Sequence, residues 1–513
     1  MKIYTITFLP EGLSVTVEEK TTLLQAQILA GLRPDAPCGG KGTCGKCKVW
    51  VNGQEVLACQ TTVAGDMTVR TEPEAEIRIL TEGLSVQTQP DGKDAYVLAF
   101  DIGTTTVVGT LWDLTDGKAL ASAARTNDQS VFGADVISRI QFSLAEAGNL
   151  SLLQKKVVFT LNSILTELCL AADLSPRSIY DVTVVGNTTM SHLFLGVSPK
   201  PMSRTPFAPA FTEAQTLSAA ELGLSVHPRA AVHLLPNIAG HVGSDITAMM
   251  LTAGIEKRSG NHVAIDIGTN GEVVAVRNGE LVCCSTAAGP AFEGACIRSG
   301  MRAAPGAIER VDVVDGDITI GVIDDAAPLG LCGSGLIDAI AALLQCGALL
   351  PSGRLLTKEE AADLPPCIAA RITEADSAPA FRLAEGADGV PILLTQQAIR
   401  EVQLAKGAIL AGIRTLLHEL GISEDELDSV LLAGAFGNYI RRESALAIGL
   451  LPTVPVEKII PIGNAAGAGA SMALLSLPQR QRADRLARMV RHVELSIHPV
   501  FQDLYIDAMQ FGG

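Results

Sequence analysis

Alternation with a period of two opens the chain: Tyr4, Ile6 and Phe8 are separated by polar residues, and Leu13, Val15 and Val17 alternate with Ser14 and Thr16. This pattern predicts two half-buried strands paired as a hairpin. The period then lengthens. Thr22 with Gln25 makes a capping-box pattern, Leu23, Leu24 and Ile28 form an apolar stripe, and Gly31 is placed to end a helix of two to three turns. Lys48 to Val51 and Val56 to Ala58 flank Asn52-Gly53, a two-residue hairpin signal, and the second of these strands leads into Cys59. Pro73 and Pro90-Asp91-Gly92 then punctuate Glu72 to Lys93, which reads as a linker with one short strand.

Past the linker an apolar strand runs into Asp101-Ile102-Gly103-Thr104-Thr105, and a second strand reaches the turn Asp116-Gly117. The same order recurs from His262: a buried strand, Asp266-Ile267-Gly268-Thr269-Asn270-Gly271, a second strand, the turn Asn278-Gly279 and a third strand. One of these loops alone would pass for a tight turn after a strand. Its repetition in the same context predicts a domain built twice, with two loops facing each other around a phosphate chain. Glycine lets backbone N–H groups approach phosphate oxygens, threonine hydroxyls add donors, and one carboxylate per loop can hold a magnesium ion. Asp101 and Asp266 are therefore the candidate catalytic, metal-facing carboxylates. Gly103, Thr104, Thr105, Gly268, Thr269, Asn270 and Gly271 are the candidate ATP-binding residues. A later strand, Val430 to Leu432, enters the small-residue turn Gly434-Ala435-Phe436-Gly437, against which a flat adenine ring could lie. Two glycine-rich strand-to-helix junctions, Val184 to Met190 and Ile462 to Leu475, predict helices that connect the two lobes.

Composition narrows the class. At 513 residues, 48% of them apolar and 18% charged, the chain predicts two or three well-buried α/β units. A formal net charge of -16 opposes phosphate backbones and anionic lipid, so nucleic acid and membrane surfaces are not expected partners. The N-terminal stretch lacks the features of a secretory signal, which predicts a cytoplasmic protein. The most apolar stretch, after Gly335, carries Asp338 and Gln345 and reads as a buried helix rather than a membrane span.

Four of the eleven cysteines, Cys38, Cys44, Cys47 and Cys59, are separated by five, two and eleven residues. A two-iron cluster takes four thiolates, three from a loop wrapped round it and one from a neighbouring strand. Gly39, Gly40, Gly42 and Gly45 let such a loop turn tightly. Zinc also accepts four thiolates and remains the alternative, although zinc ribbons use two CxxC knuckles and only Cys44 and Cys47 form one here. The first gap is one residue longer than the plant-type [2Fe-2S] spacing. Cys169, Cys283, Cys284, Cys296, Cys332, Cys346 and Cys367 sit in apolar surroundings and are expected to be plain buried thiols.

The N-terminal order resembles the β-grasp of ferredoxins. The region from Tyr96 to Leu475 resembles the acetate and sugar kinase, actin and heat-shock chaperone superfamily. The quartet followed by DIGTTT, VVGNTTM, PNIAGHVGSD, DIGTNGE, AAGPAFEGA and LAGAFG is similar, over nearly the whole chain, to the reductive activators of corrinoid enzymes. That resemblance implies an α/β protein: a [2Fe-2S] domain at 1–71, a linker at 72–95, a duplicated RNase H-like ATPase with lobes at 96–255 and 256–475, and a tail at 476–513 packed on the ATPase. It implies that Cys38, Cys44, Cys47 and Cys59 are the cluster ligands and that ATP and Mg are bound. It also implies electron transfer to an inactive Co(II) corrinoid on a partner corrinoid protein or methyltransferase, restoring Co(I), with an upstream low-potential donor. Homodimerisation is common in such proteins and stays open here. Two departures stand out: this chain has no cysteine after Cys367, so one two-iron cluster must suffice, and it leaves little room between linker and first hairpin for a separate middle domain.

Other readings compete. A small-molecule kinase of this fold would need a carboxylate near the γ-phosphate, and Glu272, Asp245 or Glu293 could be argued into that role, but kinase chemistry does not explain the cysteine quartet. A nucleotide-controlled scaffold ATPase would carry the cluster incidentally. Activators of 2-hydroxyacyl-CoA dehydratases hold a four-iron cluster on ATPase-domain cysteines, unlike Cys38 to Cys59. His192 and His241 read as core or loop histidines. Arg480, Arg482, Arg485, Arg488 and Arg491 read as a solvated helix face.

Overall fold

The computed structural model describes residues 2–512 apart from 37, 43, 72–85, 87, 94, 295, 296 and 388. Most of the linker and Cys296 therefore lie outside the described residues, as do the side chains of Glu293, Ala435 and Phe436.

The N-terminal domain is a five-stranded sheet in the order β2-β1-β5-β3-β4. Its strands are β1 (Ile3–Leu9), β2 (Leu13–Glu18), β3 (Lys48–Val51), β4 (Gln54–Leu57) and β5 (Met67–Arg70). The helix Leu23–Leu29 begins with the expected capping box: the Thr22 hydroxyl accepts from Gln25 N while the Gln25 side chain accepts from Thr22 N. β4 starts two residues earlier than its apolar residues suggest. Asn52 and Gly53 both take positive φ, 51° and 80°, so the turn is two residues long and pairs Val51 directly with Gln54. β5 carries too short a pattern to be read in advance. It lies between β1, to which it is parallel, and β3.

Two six-stranded sheets follow. The first has the order β10-β11-β9-β6-β7-β8, from β6 (Tyr96–Ile102), β7 (Thr106–Asp113), β8 (Lys118–Thr126), β9 (Ile179–Gly186), β10 (Gln215–Ser218) and β11 (Ala231–Leu234). The chain then forms β12 (Asn261–Ile267), β13 (Gly271–Arg277) and β14 (Glu280–Thr286). Two small sheets come next, β15 (Ala307–Val314) with β16 (Asp317–Val322) and β17 (Gly330–Leu331), and β18 (Ile372–Ala375) with β19 (Ala378–Glu385) and β20 (Pro391–Thr395). β21 (Ser429–Ala433), β22 (Ile459–Pro461) and β23 (Arg491–His492) complete the second large sheet, β22-β21-β12-β13-β14-β23. Five strands of each sheet match: an antiparallel meander, β6-β7-β8 or β12-β13-β14, with two parallel strands added beside its first member. The duplication read from the two DIGT loops is thus a duplication of whole sheets.

Between the sheets lie the helices Ser244–Ala253 and Ala465–Leu475, which share a hydrophobic core with Val97, Ala99, Ala264, Val274 and Leu431. A Cβ at Gly469 would fall 2.1 Å from the Ala248 carbonyl oxygen, so the two helices touch backbone to backbone. Thr252 Oγ1 also donates to Ala465 O at 2.8 Å. The expected pair of lobe-connecting helices is corrected accordingly. The helix after the Val184 junction, Thr188–Leu195, packs inside the first lobe, and the partner of Ala465–Leu475 is Ser244–Ala253, whose small residues permit the close approach. The outer faces are covered by Asn149–Ala171 on the first sheet and by Gly333–Gln345 and Gln396–Leu420 on the second. No described helix is long and apolar enough to cross a membrane. Cys367, expected to be buried, is exposed, because the short helix Pro366–Ala369 lies at the surface beside the small sheets.

Candidate functional site

The cysteine quartet lies at one end of the N-terminal sheet. Gly39, Gly40, Gly42 and Gly45 all have φ between 61° and 85°, a left-handed path that residues with a Cβ resist. That path turns the loop so that Cys38 and Cys44 meet, Sγ to Sγ at 3.3 Å, while Cys47 and Cys59 hydrogen-bond each other. Ala58 N donates to Cys47 O at 2.7 Å, which ties the turn bearing Cys59, just after β4, to the loop. The sulfurs thus form two pairs, and no three of them lie within 4.8 Å of one another. A zinc ion at about 2.3 Å from each sulfur would bring all four within about 3.8 Å. Two pairs fit two iron atoms, one pair on each, and do not fit one zinc. Burial, reinforced by the Cys59 and Cys44 thiols, pushes Cys47 up to about 11, and burial raises Cys44 as well. Four such packed thiols are a donor set in which metal cations replace the protons.

The second cluster of polar groups lies where the two large sheets face each other. Asp101 and Asp266 are the penultimate residues of β6 and β12; Asp245 arrives in the first turn of Ser244–Ala253, and Glu272 points in from β13. Burial first, then the neighbouring Asp245 and Asp266 charges, pushes Asp101 up to about 8. Burial with the Asp266 charge takes Asp245 to about 7, burial takes Asp266 to about 6, and Glu272 is raised well above its ordinary value by burial with Asp245 and Asp266. The three aspartates are walled in by protein yet keep a face toward solvent, so they form the floor of a cleft. Among the described residues none of the four forms an ion pair. A compact group of carboxylates without a cation is a fitting cradle for Mg²⁺ and a phosphate chain.

The two loops meet above that floor, with Thr105 Oγ1 3.4 Å from Thr269 Oγ1. Asn187 Nδ2 donates to Thr104 Oγ1 at 2.9 Å, and the Asn464 side chain hydrogen-bonds Asp101. Gly271 lies in the sheet, where a Cβ would be 2.6 Å from both Ile409 and Thr286 side-chain atoms. Gly434, at the start of the helix Gly434–Tyr439, has φ 89°, and a Cβ there would sit 2.5 Å from Asp266 Oδ1. The Gly434 to Gly437 turn therefore abuts the carboxylate floor through its first residue.

Sequence reasoning named Asp245 and Glu272 only as candidate kinase bases, and the fold brings both to Asp101 and Asp266. It missed Asn187 and Asn464 as site residues. A signal was present: each follows a glycine at a strand-to-helix junction and caps the next helix, Asn187 Oδ1 accepting from Met190 N at 2.9 Å and Asn464 Oδ1 from Gly467 N at 2.8 Å. It also missed Asn127 and Arg139. Asn127 N donates to Thr105 O at 2.8 Å and its Nδ2 to Gly103 O at 2.9 Å, while Arg139 Nη2 donates to Thr104 O. His192 is a satisfied core histidine, its Nδ1 on Thr188 O at 2.7 Å and its Nε2 accepting from Ala210 N at 3.0 Å. The arginine-rich tail is only partly a solvated face. Arg482 pairs with Glu256 at 2.6 Å and Arg480 donates to Ala473 O, because the helix Leu477–Met489 packs on the inter-lobe core; Arg485 and Arg488 are exposed.

Comparison with known proteins places this geometry. Three family descriptions match: a 2Fe-2S iron-sulfur cluster binding domain over residues 6–70, the RACo middle region over 96–258, and the C-terminal domain of RACo, the ASKHA domain, over 260–513. The match to the middle region runs over the first lobe and begins at the first hairpin, so it adds no segment between linker and hairpin. Corrinoid activation enzyme RamQ of Eubacterium limosum is 38% identical over 423 residues, covering 82% of this chain and 71% of that protein. The [Co(II) methylated amine-specific corrinoid protein] reductase of Methanosarcina barkeri is 24% identical over 454 residues, covering 81% and 77%. Among solved structures, a reductive activator for corrinoid, iron-sulfur protein superposes with a TM-score of 0.73 at 30% identity, covering 99% of this chain and 98% of its own.

Proposed function

This chain belongs to the family of ATP-dependent reductive activators of corrinoid proteins, and from that premise we propose how its residues divide the work. The protein is an iron-sulfur ATPase that returns an inactive Co(II) corrinoid on a partner protein to Co(I). Cys38 and Cys44 hold one iron, Cys47 and Cys59 the other. A two-iron cluster there supplies one low-potential electron at a time, received from an upstream donor. Asp101, Asp245 and Asp266 hold Mg²⁺ and its waters. Thr104, Thr105, Thr269 and Asn270 with their backbone N–H groups take the phosphates, the Gly434 to Gly437 turn lies beside them, and Glu272 is placed to accept a proton from attacking water. The work is done in the cytoplasm.

The observation that carries this reading is the pairing of the four thiols in the same chain as the carboxylate-floored cleft. Neither a sugar kinase nor a passive ferredoxin needs both. Plant-type two-iron centres lie near about -400 mV. A deficit of about 100–200 mV against a colder cobalt couple disfavours one-electron transfer by roughly two to three decades. Offsetting it takes about 2–5 kcal/mol, within the range of a nucleotide-driven change in affinity or conformation. The test combines reduced activator, a Co(II) corrinoid protein and Mg-ATP without oxygen, with Co(I) followed optically. Co(I) should accumulate with ATP and stall without it, and ATP turnover should rise when the partner is added. Equal yields with and without ATP, together with partner-independent hydrolysis, would overturn the reading.

A further inference from the structure

The first hairpin loop is anchored from behind. Three consecutive carbonyls, of Gly103, Thr104 and Thr105, accept hydrogen bonds from Asn127 and Arg139, both fully buried. In a planar trans peptide the N–H points opposite to the C=O. Fixing those carbonyls inside the first lobe therefore aims the N–H groups of Thr104, Thr105 and Thr106 toward the cleft, where phosphate oxygens would lie. Arg139 also donates to Gln129 Oε1 at 3.2 Å and to Gly133 O at 2.9 Å, so hairpin and the 127–133 segment share one network.

The far side of that segment touches the N-terminal domain. Asp128, whose side chain is 6% exposed, accepts from Arg33 Nε at 2.7 Å and from Thr160 Oγ1 at 2.9 Å. A Cβ on Gly39, next to Cys38, would stand 3.8 Å from Phe132 O. A second contact reaches the other lobe, where Lys46 Nζ donates to Gly300 O at 2.6 Å. Resting on the reading of the cleft as a nucleotide site, we propose that residues 127–133, with Arg139, are a positioning segment that transmits the state of the nucleotide hairpin to the cluster loop through the Arg33–Asp128 ion pair. Phosphates drawing on the hairpin N–H groups pull the same peptides that Asn127 and Arg139 hold, and the displacement arrives at Asp128 one residue away. A largely buried carboxylate makes Arg33 a specific partner, since its guanidinium is less easily replaced by water there than at an open surface.

The test is hydrogen exchange on the full-length, cluster-loaded protein, with and without a magnesium complex of a non-hydrolysable ATP analogue. In the wild type the analogue should change exchange at 103–106, at 127–133 and at 38–48 together, by about fivefold or more at the cluster loop. In Arg33→Gln the changes at 103–106 and 127–133 should remain while that at 38–48 is lost, and Arg33→Lys should restore part of it. A wild-type cluster loop indifferent to nucleotide, or one that responds equally in Arg33→Gln, would overturn the proposal. No response at 103–106 in the wild type would instead strike at the nucleotide reading itself.

Discussion

Thr105 and Thr269, 164 residues apart in the chain and one in each copy of the duplicated hairpin, bring their hydroxyls to 3.4 Å across the cleft. This contact places both loops within reach of one phosphate chain. Thr269→Val keeps the shape and removes the hydroxyl, so nucleotide affinity should fall about tenfold to a hundredfold, as for one lost hydrogen bond to a charged acceptor. Equilibrium binding of Mg-ADP checks it, and unchanged affinity would move the phosphates elsewhere.

The paired sulfurs predict about two irons per chain. Cys44→Ser and Cys59→Ser each remove a ligand from a different iron and should abolish the reducible cluster. Metal analysis with electron paramagnetic resonance reads this directly. Stoichiometric zinc, or an intact two-iron signal in both variants, would contradict it.

Asp101→Asn and Asp266→Asn should each lower Mg-dependent ATP turnover by about a hundredfold or more while leaving iron content unchanged, because the carboxylates and the cysteines belong to different sheets. Steady-state hydrolysis alongside iron analysis separates the two effects. Loss of iron in step with ATPase would mean that the substitutions had unfolded the chain.

Asp101, Asp245 and Asp266 sit at about 8, 7 and 6, all raised from 3.8 by burial and, for the first two, by neighbouring carboxylates. The folded chain holds these protons more tightly than the unfolded one. Their contribution to stability is therefore full below about pH 4 and is lost as pH rises through about 6 to 8. Without divalent cation the melting temperature should fall across that window, Mg²⁺ should recover more of it at pH 8 than at pH 5.5, and Asp101→Asn should flatten the slope. Thermal scans at a series of pH values decide this; a wild-type slope shared by the variant would contradict it.

Gly434→Ala meets two obstacles at once, a left-handed φ of 89° and an oxygen of Asp266 2.5 Å from the new methyl. The strain costs about 1–2 kcal/mol, and the displaced carboxylate should raise the KM for Mg-ATP well beyond what that loss of stability explains. Kinetics measured well below the melting temperature distinguish the two.

Features carried by adjacent residues were legible in advance. The capping box at Thr22, the turn at Asn52-Gly53, the two DIGT loops and the quartet each state their geometry within a few positions. β5 was not legible, because Met67–Arg70 owes its place to pairing with β1 and β3 rather than to its own pattern. Asp245 was legible only as a candidate kinase base, because it sits in a helix start, where an acidic residue is ordinary. Asn127 and Arg139 act on backbone carbonyls, and no side-chain pattern announces a residue whose partner is a peptide group. The inward turn of Arg480 and Arg482 depends on a helix docking site formed by distant strands.

Among the contacts that hold the cluster domain, one reaches each lobe of the ATPase: Arg33 pairs with Asp128, just after the third strand of the first meander, and Lys46 donates to Gly300, in the segment that follows the second meander. A domain clipped to both lobes works as a gauge of their separation. It fits one separation, and any other must release a clip. With Arg33 and Lys46 as the clips, the angle between the ATPase lobes becomes a quantity that the iron-sulfur domain can sense without touching nucleotide.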